Sequence, residues 1–293
     1  MRDSILERMK YCFIGILFLG FVITQAQETH LGLRIGINSA AMSGGIQENS
    51  KYKPQSGFHI GPSFSYAFSD LMGIRGELIF SQKGSAFEYT GPSYFTIRKN
   101  AEFIATSGVR TMRMAINNNY LDIPLSFYTL FFEHLDVSIG AYASALVGSS
   151  VKGDIEYMGK RDNSSAVVGP LKFLLDGNYF GNKAGAVSGA TTQTIKLEGD
   201  QITLPERLGA YYEYRTKPSG NKYNLVDYGL TGAIHYRLSG GLYAGLRYQY
   251  GLSDVSNNKF DISYRSLSPA KEFVLVPEKL KNRTLQFSIM LQL

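Results

Sequence analysis

The last segment of the chain alternates most cleanly. Leu285, Phe287, Ile289, Leu291 and Leu293 fall on one face of an extended strand, and Thr284, Gln286, Ser288, Met290 and Gln292 on the other. The same two-residue period recurs seven more times. Leu31, Leu33, Ile35 and Ile37 alternate with Gly32, Arg34, Gly36 and Asn38. Phe58, Ile60, Phe64, Tyr66 and Phe68 alternate with His59, Gly61, Ser63, Ser65 and Ala67, and Met72, Ile74, Leu78 and Phe80 with Arg75, Glu77 and Ser81. Further stripes are Leu121, Ile123, Leu125 and Phe127; Leu135, Val137, Ile139, Ala141 and Ala143; Tyr228, Leu230, Ile234 and Tyr236; and Leu242, Ala244, Leu246, Tyr248 and Tyr250.

The connections between these eight segments carry a second, independent pattern, because they alternate in length. Residues 41–56, 87–118, 149–222 and 254–282 are long polar stretches, whereas 69–71, 131–134 and 239–240 are tight turns. Short turns on one side, long loops on the other and an even strand count are the signature of a barrel in an outer membrane, with long loops outside the cell and both termini in the periplasm. The expectation is therefore an all-β protein, a transmembrane antiparallel up-and-down β-barrel of 8 strands with long extracellular loops. A hairpin over 192–204 would raise the count to 10.

A soluble lipocalin-like barrel also has eight up-and-down strands. In water its outer face would need to be rich in Lys and Glu, yet the face opposite the apolar one is His59, Gly61, Ser63, Ser65, Ala67 on one strand and Ser138, Gly140, Tyr142, Ser144 on another. Small, uncharged side chains suit a narrow lumen better, with the apolar stripes turned to lipid.

The N-terminus is set apart from this pattern. Arg2, Arg8 and Lys10 precede an unbroken apolar run, 11–23, followed by Thr24, Gln25 and Ala26. The run is too short for the ~20 residues of a membrane-spanning helix, and small residues at 24 and 26 fit a cleavage site before Gln27. Residues 1–26 are thus expected to be a cleaved signal peptide and 27–293 the outer-membrane barrel. Met9 followed by Lys10 and the apolar run would make a complete signal by itself, so translation from Met1 or from Met9 fits equally. No later stretch has eighteen consecutive apolar residues.

Composition narrows the function classes. Of 293 residues, 31 are Gly, 20 Tyr and 18 Phe, and charged residues make up only 18%, which favours strands and turns over helices or disorder. The net charge of +6 is spread along the chain without a Lys/Arg cluster, which argues against nucleic acid as a partner. The one cysteine, Cys12, lies inside the signal and lacks the small preceding residues of a lipid-attachment site. The exported part therefore has no disulfide, thiol nucleophile or Cys-based metal site.

The candidate chemistry lies inside the barrel. By parity Arg34, Arg75, Lys83, Arg237 and Arg247 point inward, as do Glu77, Asp122, Asp136 and Asp227. An eight-stranded interior is only wide enough to be filled by side chains, so these charges are expected to pair as a plug; the alternative is an ion or proton path. Arg75, Glu77 and Arg247 lie at matching depth near mid-membrane, and with Asp122, Asp227 and Arg237 they form the expected lumen charge network.

Catalysis and cofactors find no support. His30 lies at the exported N-terminus, His134 in a turn, and His59 and His235 inside the barrel, so no His/Asp or His/Ser pair is expected at the extracellular rim. No His/carboxylate cluster has metal-ligand spacing, and the glycines of 181–189 lack the strand-to-helix context of a phosphate site. No catalytic, cofactor or metal residues are assigned. Phe68, Phe80, Phe127, Tyr236 and Tyr250 fit aromatic girdles at the membrane interfaces. Tyr179 and Phe180, with Tyr211, Tyr212 and Tyr214 around Glu213, are expected to be exposed loop aromatics that contact a partner or glycan, or else to pack the loop against itself.

Several segments resemble the PorT-like outer-membrane β-barrel family of Bacteroidetes, proteins of the small OmpA/OmpX-like architecture. The resemblance rests on Leu31-Gly-Leu-Arg-Ile-Gly-Ile-Asn38, Tyr120-Leu-Asp-Ile-Pro-Leu125, Val226-Asp-Tyr-Gly-Leu230, Gly245-Leu-Arg-Tyr-Gln-Tyr-Gly-Leu252 and Asn282-Arg-Thr-Leu-Gln-Phe287, in that order. The chain departs from the pattern at Leu293, which replaces a terminal aromatic, and in the long stretch 149–222. The resemblance implies an accessory role in secretion across the outer membrane. Two function classes stay open: a non-enzymatic barrel serving envelope structure, adhesion or a secretion complex through its extracellular loops, and a small transport pore. The implied partners are outer-membrane lipid, the barrel-insertion machinery and a secretion-complex or surface partner.

Overall fold

The computed structural model describes residues 29–45, 47–99 and 102–293; the signal peptide expected over 1–26 lies outside the described residues. In chain order the strands are β1 (Thr29–Gly45), β2 (Ser50–Lys53), β3 (Gln55–Ser69), β4 (Met72–Glu77), β5 (Ile79–Lys99), β6 (Glu102–Phe131), β7 (Leu135–Arg161), β8 (Val167–Asn178), β9 (Thr192–Leu197), β10 (Asp200–Pro205), β11 (Arg207–Leu208), β12 (Val226–Ser239), β13 (Leu242–Gly251), β14 (Ile262–Leu267), β15 (Phe273–Leu275) and β16 (Lys279–Gln292). A single 3-10 turn, Asn258–Phe260, is the one helical element among the described residues.

Eight strands form a hydrogen-bonded ring. β1 pairs with β3, β3 with β4 and β5, these with β6, and then β7, β12, β13 and β16 follow in turn. β16 pairs back to β1 from Gly32 opposite Gln292 to Gly45 opposite Lys279. Every pairing in the ring is antiparallel. β4 and β5 are one strand of the ring, interrupted at Leu78. Pro62 on β3 and Pro124 on β6 lie opposite this break, and neither has an N–H to give to the ladder. The 192–204 hairpin also forms, as β9 and β10, but in a separate two-stranded sheet, so the ring keeps eight strands.

The faces of the ring follow the alternation. Leu31, Leu33, Ile35 and Ile37, like Phe287, Ile289 and Leu291 on the neighbouring strand, are exposed on the outside, while Arg34, Asn38, Gln286 and Ser288 are buried within. This is the arrangement lipid requires, since an apolar solvent reverses the usual sidedness of a sheet. The aromatics Phe68, Phe127, Tyr236 and Tyr250 lie on the outer face as expected, and Phe68 stacks on Phe127 with ring centroids 6.3 Å apart. At the turn end, Phe132 and Glu133 both adopt positive φ as the central residues of the turn in which His134 N–H donates to Phe131 O, a geometry matched to strand twist.

Two of the expected loops are not loops. β5 and β6 run on as one hairpin to the pair Lys99 and Glu102, so most of 87–118 is strand. β7 likewise continues to Arg161, with β8 paired against its upper half. A membrane-crossing strand uses ~9–11 residues, and β5, β6 and β7 have 21, 30 and 27. Their upper halves rise beyond the belt as a curved sheet whose inner face is apolar and whose outer face is charged. Phe95, Met112, Ile116, Val151, Ile155 and Phe173 are buried there, while Arg113, Lys152, Asp154 and Lys172 point outward as salt-bridged or solvent-facing groups.

On β7 the change of solvent coincides with a bulge. Asn119 of β6 pairs with Gly148 and Tyr120 with Leu146, leaving Val147 as an extra residue. Below the bulge the even positions Asp136, Ser138, Tyr142 and Ser144 face inward; above it the odd positions Ser149, Val151, Ile155 and Tyr157 do. The inner face of this upper sheet is covered by β9 and β10 (Leu197, Ile202, Leu204), by Leu208, Tyr211 and Tyr212, and by Tyr223, Val255 and Phe260. The long-loop end is therefore a folded head with its own hydrophobic core.

The face assignment predicts a contrast within β13. Leu246 is on the outer face and Gln249 is buried inside. Leu246→Arg is expected to destabilise the barrel by ~2–4 kcal/mol near the bilayer midplane, and Gln249→Arg, beside Asp122 and near the rim, by less. Urea titration in lipid vesicles measures both; equal losses would reject the register.

Candidate functional site

The inward charges form layers along the ring axis. Nearest the turn end, Arg75 Nη2 contacts Asp136 Oδ2 at 2.5 Å, and its Nε donates to Ser65 Oγ at 3.0 Å. The guanidinium also lies over the Tyr128 ring at 4.7 Å. Asp136 Oδ1 is 3.4 Å from His235 Nδ1, and Arg34 Nη2 is 2.9 Å from His235 Nε2. Because a guanidinium can only donate, Nε2 accepts and the ring hydrogen sits on Nδ1, facing Asp136. Arg34 then donates to Glu77 Oε1 at 2.9 Å and to Ser288 Oγ at 2.8 Å, and Arg247 Nη2 contacts Glu77 Oε2 at 2.5 Å. One chain of contacts therefore runs Arg75, Asp136, His235, Arg34, Glu77, Arg247, all buried.

Above it, His59 Nδ1 lies 2.7 Å from Asn38 Oδ1, and Asn38 donates to Ser81 Oγ at 3.1 Å. Higher still, Lys83 Nζ pairs with Asp122 Oδ2 at 2.9 Å and lies over the rings of Tyr120 and Tyr142. The top layer is Asp227, which accepts from Ser253 Oγ at 2.6 Å, Asn282 Nδ2 at 2.9 Å and Tyr142 Oη at 3.2 Å. Two glycines make room for the histidines: a Cβ on Gly36 would come within 2.6 Å of the His59 ring, and one on Gly245 within 2.2 Å of the His235 ring.

The structure thus brings Glu77 and Arg247 into direct contact, and ties Arg75 to them through Asp136, His235 and Arg34. Asp122 and Asp227 belong to separate, higher layers. Arg237 does not join. It keeps the strand register, opposite Tyr243, but stands at the turn end, where it is exposed and its Nε donates to Gly240 O at 2.7 Å. It lines a vestibule of about 580 Å³ at the turn end, with Arg75 and Asp136 among the other lining residues. Arg34, Lys83 and Asp136 share the inward parity and complete the pairs; His235 is the link that parity alone could not reveal. No group of three or more His, Cys, Asp or Glu placed to hold a metal occurs among the described residues.

At the other end the lumen meets the apolar core of the head. Met42, Tyr120, Leu146, Val255 and Leu280, each at most 5% exposed, sit directly beyond the Asp227 layer and belong to one cluster with the residues above. The loop aromatics expected to be exposed are part of that cluster. Tyr179, Tyr211 and Tyr212 are buried, and Phe180 and Tyr214 pack partly buried against them. The reason is the upper sheet, which offers an apolar face that the YYEY segment covers. Glu213 within it makes a two-pronged pair with buried Arg110, at 2.7 and 2.5 Å. Burial opposes the Arg110 charge, but the Glu213 carboxylate more than offsets this and holds its pKa above the ordinary value.

Removing one partner of the central pair should strand buried charge. Glu77→Gln leaves Arg34 and Arg247 without their carboxylate and is expected to cost ~3–5 kcal/mol, whereas Glu77→Gln with Arg247→Gln should recover only part of it, because Arg34 still lacks its carboxylate. Urea titration of the two single variants and the double variant reads the coupling; cheap single variants would mean that water already solvates each charge.

A second titration effect lies in the head. Burial pushes the Glu278 carboxyl above the ordinary range, and Asp261 beside it adds to the shift. A raised folded value means that the fold holds the proton more tightly than the unfolded chain does. The stability it contributes is present below the ordinary carboxylate pKa and is lost as pH rises through the raised one. Glu278→Gln is expected to melt higher than wild type at neutral pH, with the gap narrowing in acid, followed by near-ultraviolet dichroism of the tyrosines. A gap that does not change with pH would exclude Glu278 as its source.

Residues 25–257 match the model of the family described as outer membrane protein beta-barrel domain. Solved structures with a similar fold include three proteins. These are Ail, the attachment invasion locus protein of Yersinia pestis (9% identity, 91% of this chain and 99% of that one, TM-score 0.35), Neisserial surface protein A (9%, 91% and 99%, 0.34) and OprG from Pseudomonas aeruginosa (10%, 91% and 97%, 0.37). No curated protein matches the sequence.

Proposed function

The chain belongs to the outer membrane protein beta-barrel domain family, and from that premise we propose that it is a non-enzymatic envelope protein whose ring anchors a folded extracellular head and does not conduct. The observation that carries this reading is the path along the ring axis. It is filled by paired charges and then covered by the apolar cluster of Met42, Tyr120, Leu146 and Leu280. A pore needs a continuous wet path, and an apolar cover over a filled eight-stranded lumen opposes one.

The head is then the working surface, as an adhesion, structural or secretion-accessory element. The ordered segments from Leu31 to Phe287 that resemble PorT-like barrels of Bacteroidetes support the accessory role. The apolar run after Lys10 supports export with removal of residues 1–26.

A small pore is the second reading, favoured by one observation. His59 Nε2, Arg247 Nη1, Gln249 Oε1, Thr284 Oγ1 and Gln286 Oε1 are buried inside the ring without a hydrogen-bond partner among the described residues, and such atoms call for water. Planar-bilayer recording separates the two. The filled-ring reading expects no steady single-channel conductance from wild type, and a cysteine placed at Lys172 on the outer face of the head should react with an impermeant reagent on intact cells. Steady conductance would promote the pore, and protection of the Lys172 position would reverse the orientation.

A further inference from the structure

Between the upper sheet and the segments that cover it lies a cavity of about 70 Å³. One wall, from the sheet, is apolar and includes Phe87, Met112 and Ile155. The other is polar, with Tyr52, Tyr223, Tyr264, Asp261 and Glu278. Burial raises the pKa of the Tyr223 phenol, and Tyr52, Asp261 and Glu278 raise it further, as expected of oxygens gathered around one space.

The groups of the polar wall are under-used. Tyr223 is 2% exposed and its hydroxyl has no hydrogen-bond partner among the described residues, nor does that of Tyr212, which also lines the cavity. Glu278 is reached only by long contacts, from Tyr52 Oη at 3.3 Å and the backbone N–H of Gln47 at 3.4 Å. Asp261 is better served, by Ser256 Oγ at 2.8 Å from both its oxygens, the Glu278 backbone N–H at 3.0 Å and the Asn258 amide at 3.2 Å, but by no charged donor among the described residues. Neither carboxylate has a cation within ion-pair distance among the described residues. Glu213, also in the lining, is neutralised by Arg110. Lys222, the only basic residue in the lining, donates to Phe260 O at 3.3 Å and lies 5.7 Å from the Tyr179 ring centroid. Two carboxylates against one ammonium leave the space negative.

We propose that this cavity binds a primary alkylammonium group, its ammonium held by Tyr223, Tyr52, Glu278 and Asp261 and its methylenes against Phe87, Met112 and Ile155. Three N–H donors match an array of phenol and carboxylate acceptors; an anion would be repelled, and a quaternary ammonium has no hydrogen to give. Size agrees as well. The 70 Å³ is several times the ~10–15 Å³ that a cavity needs to admit one water, room for a short chain such as n-butylammonium, the same group that ends a lysine side chain. The proposal rests on the head being the working surface and names the ligand chemistry for it.

Calorimetric titration of the whole protein in non-ionic detergent micelles tests it, with n-butylammonium as probe. One-site saturable binding is expected, weakened at least tenfold in Glu278→Gln and several-fold in Tyr223→Phe, with n-butanol and tetramethylammonium binding far more weakly. Lys222→Met should tighten binding, because the competing ammonium is gone. Equal affinity for N-acetyl-lysine amide would point to a peptide lysine as the natural source, and preference for the bare amine to a free one. No saturable binding by wild type, or binding that both Glu278→Gln and Tyr223→Phe leave unchanged, overturns the cavity proposal. Conductance of the same preparation overturns only the filled-ring reading, so the two failures remain separate.

Discussion

The pairing of the first strand with the last is the interaction on which everything else depends. In hydrocarbon no water can satisfy an open strand edge, and β1 meets β16 over fourteen register positions, Gly32 with Gln292 through Gly45 with Lys279. Once those two edges satisfy each other, each ring strand has a neighbour on both sides and the inner face is fixed as a narrow, shared interior. Side chains of modest size then have no alternative to touching across the axis. Ionic contacts between residues distant in sequence, such as Arg34 with Glu77 or Arg75 with Asp136, follow from that geometry.

Balance inside the ring is a condition of burying charge at all. Four cations, Arg34, Arg75, Lys83 and Arg247, share the interior with four anions, Glu77, Asp122, Asp136 and Asp227. They are not simple pairs. Glu77 serves two guanidiniums, while Asp227 is satisfied by a hydroxyl, an amide and a phenol. The lower chain has three guanidiniums against two carboxylates, so a neutral His235 that accepts from Arg34 and donates to Asp136 joins its parts without adding a further positive charge. Buried ion pairs give back little beyond their desolvation cost; what this arrangement supplies is a fixed register, because a one-residue slip would send each charge into lipid.

The ring was legible in the sequence because lipid inverts the usual pattern. Apolar Leu285, Phe287 and Ile289 against polar Gln286 and Ser288 could be sorted without knowing any partner strand, and the short turns at 69–71 and 239–240 set the hairpins. The head was not legible, for the converse reason. Above the belt, β5 and β6 keep the same parity but the solvent changes to water, so Met112 and Ile116 turn inward while Arg113 and Asn117 turn outward. Read against the lipid rule, such stretches look like polar loops. The bulge at Val147 compounds this by switching the inward parity of β7 midway. Tyr211 and Tyr212 looked exposed because the sheet face that covers them was not visible as a sheet. His235 as a link needed the register that sets it opposite Asp136, and Arg237 keeps its inward parity but stands too near the turn, lining the vestibule, to reach the buried layers.

The same three strands therefore serve two solvents, and the two halves cannot be separated. β5, β6 and β7 carry outward apolar residues where lipid surrounds them and inward apolar residues where water does, with Tyr120 on β6 as the joint: its ring faces Lys83 below and packs with the head core above. Each half supplies what the other lacks. The ring gives the upper sheet a fixed curvature and base, which a free hairpin of this length would not have in water. The head gives the ring an apolar cover over charges that are otherwise closed only from the sides. Its core is built by ordinary hydrophobic burial, while the belt is held by lipid on its outside and by ion pairs within. Any change in the head that exposes Tyr120 also wets the Lys83 and Asp122 pair, so events at the outer surface and charges inside the membrane are joined by one continuous sheet.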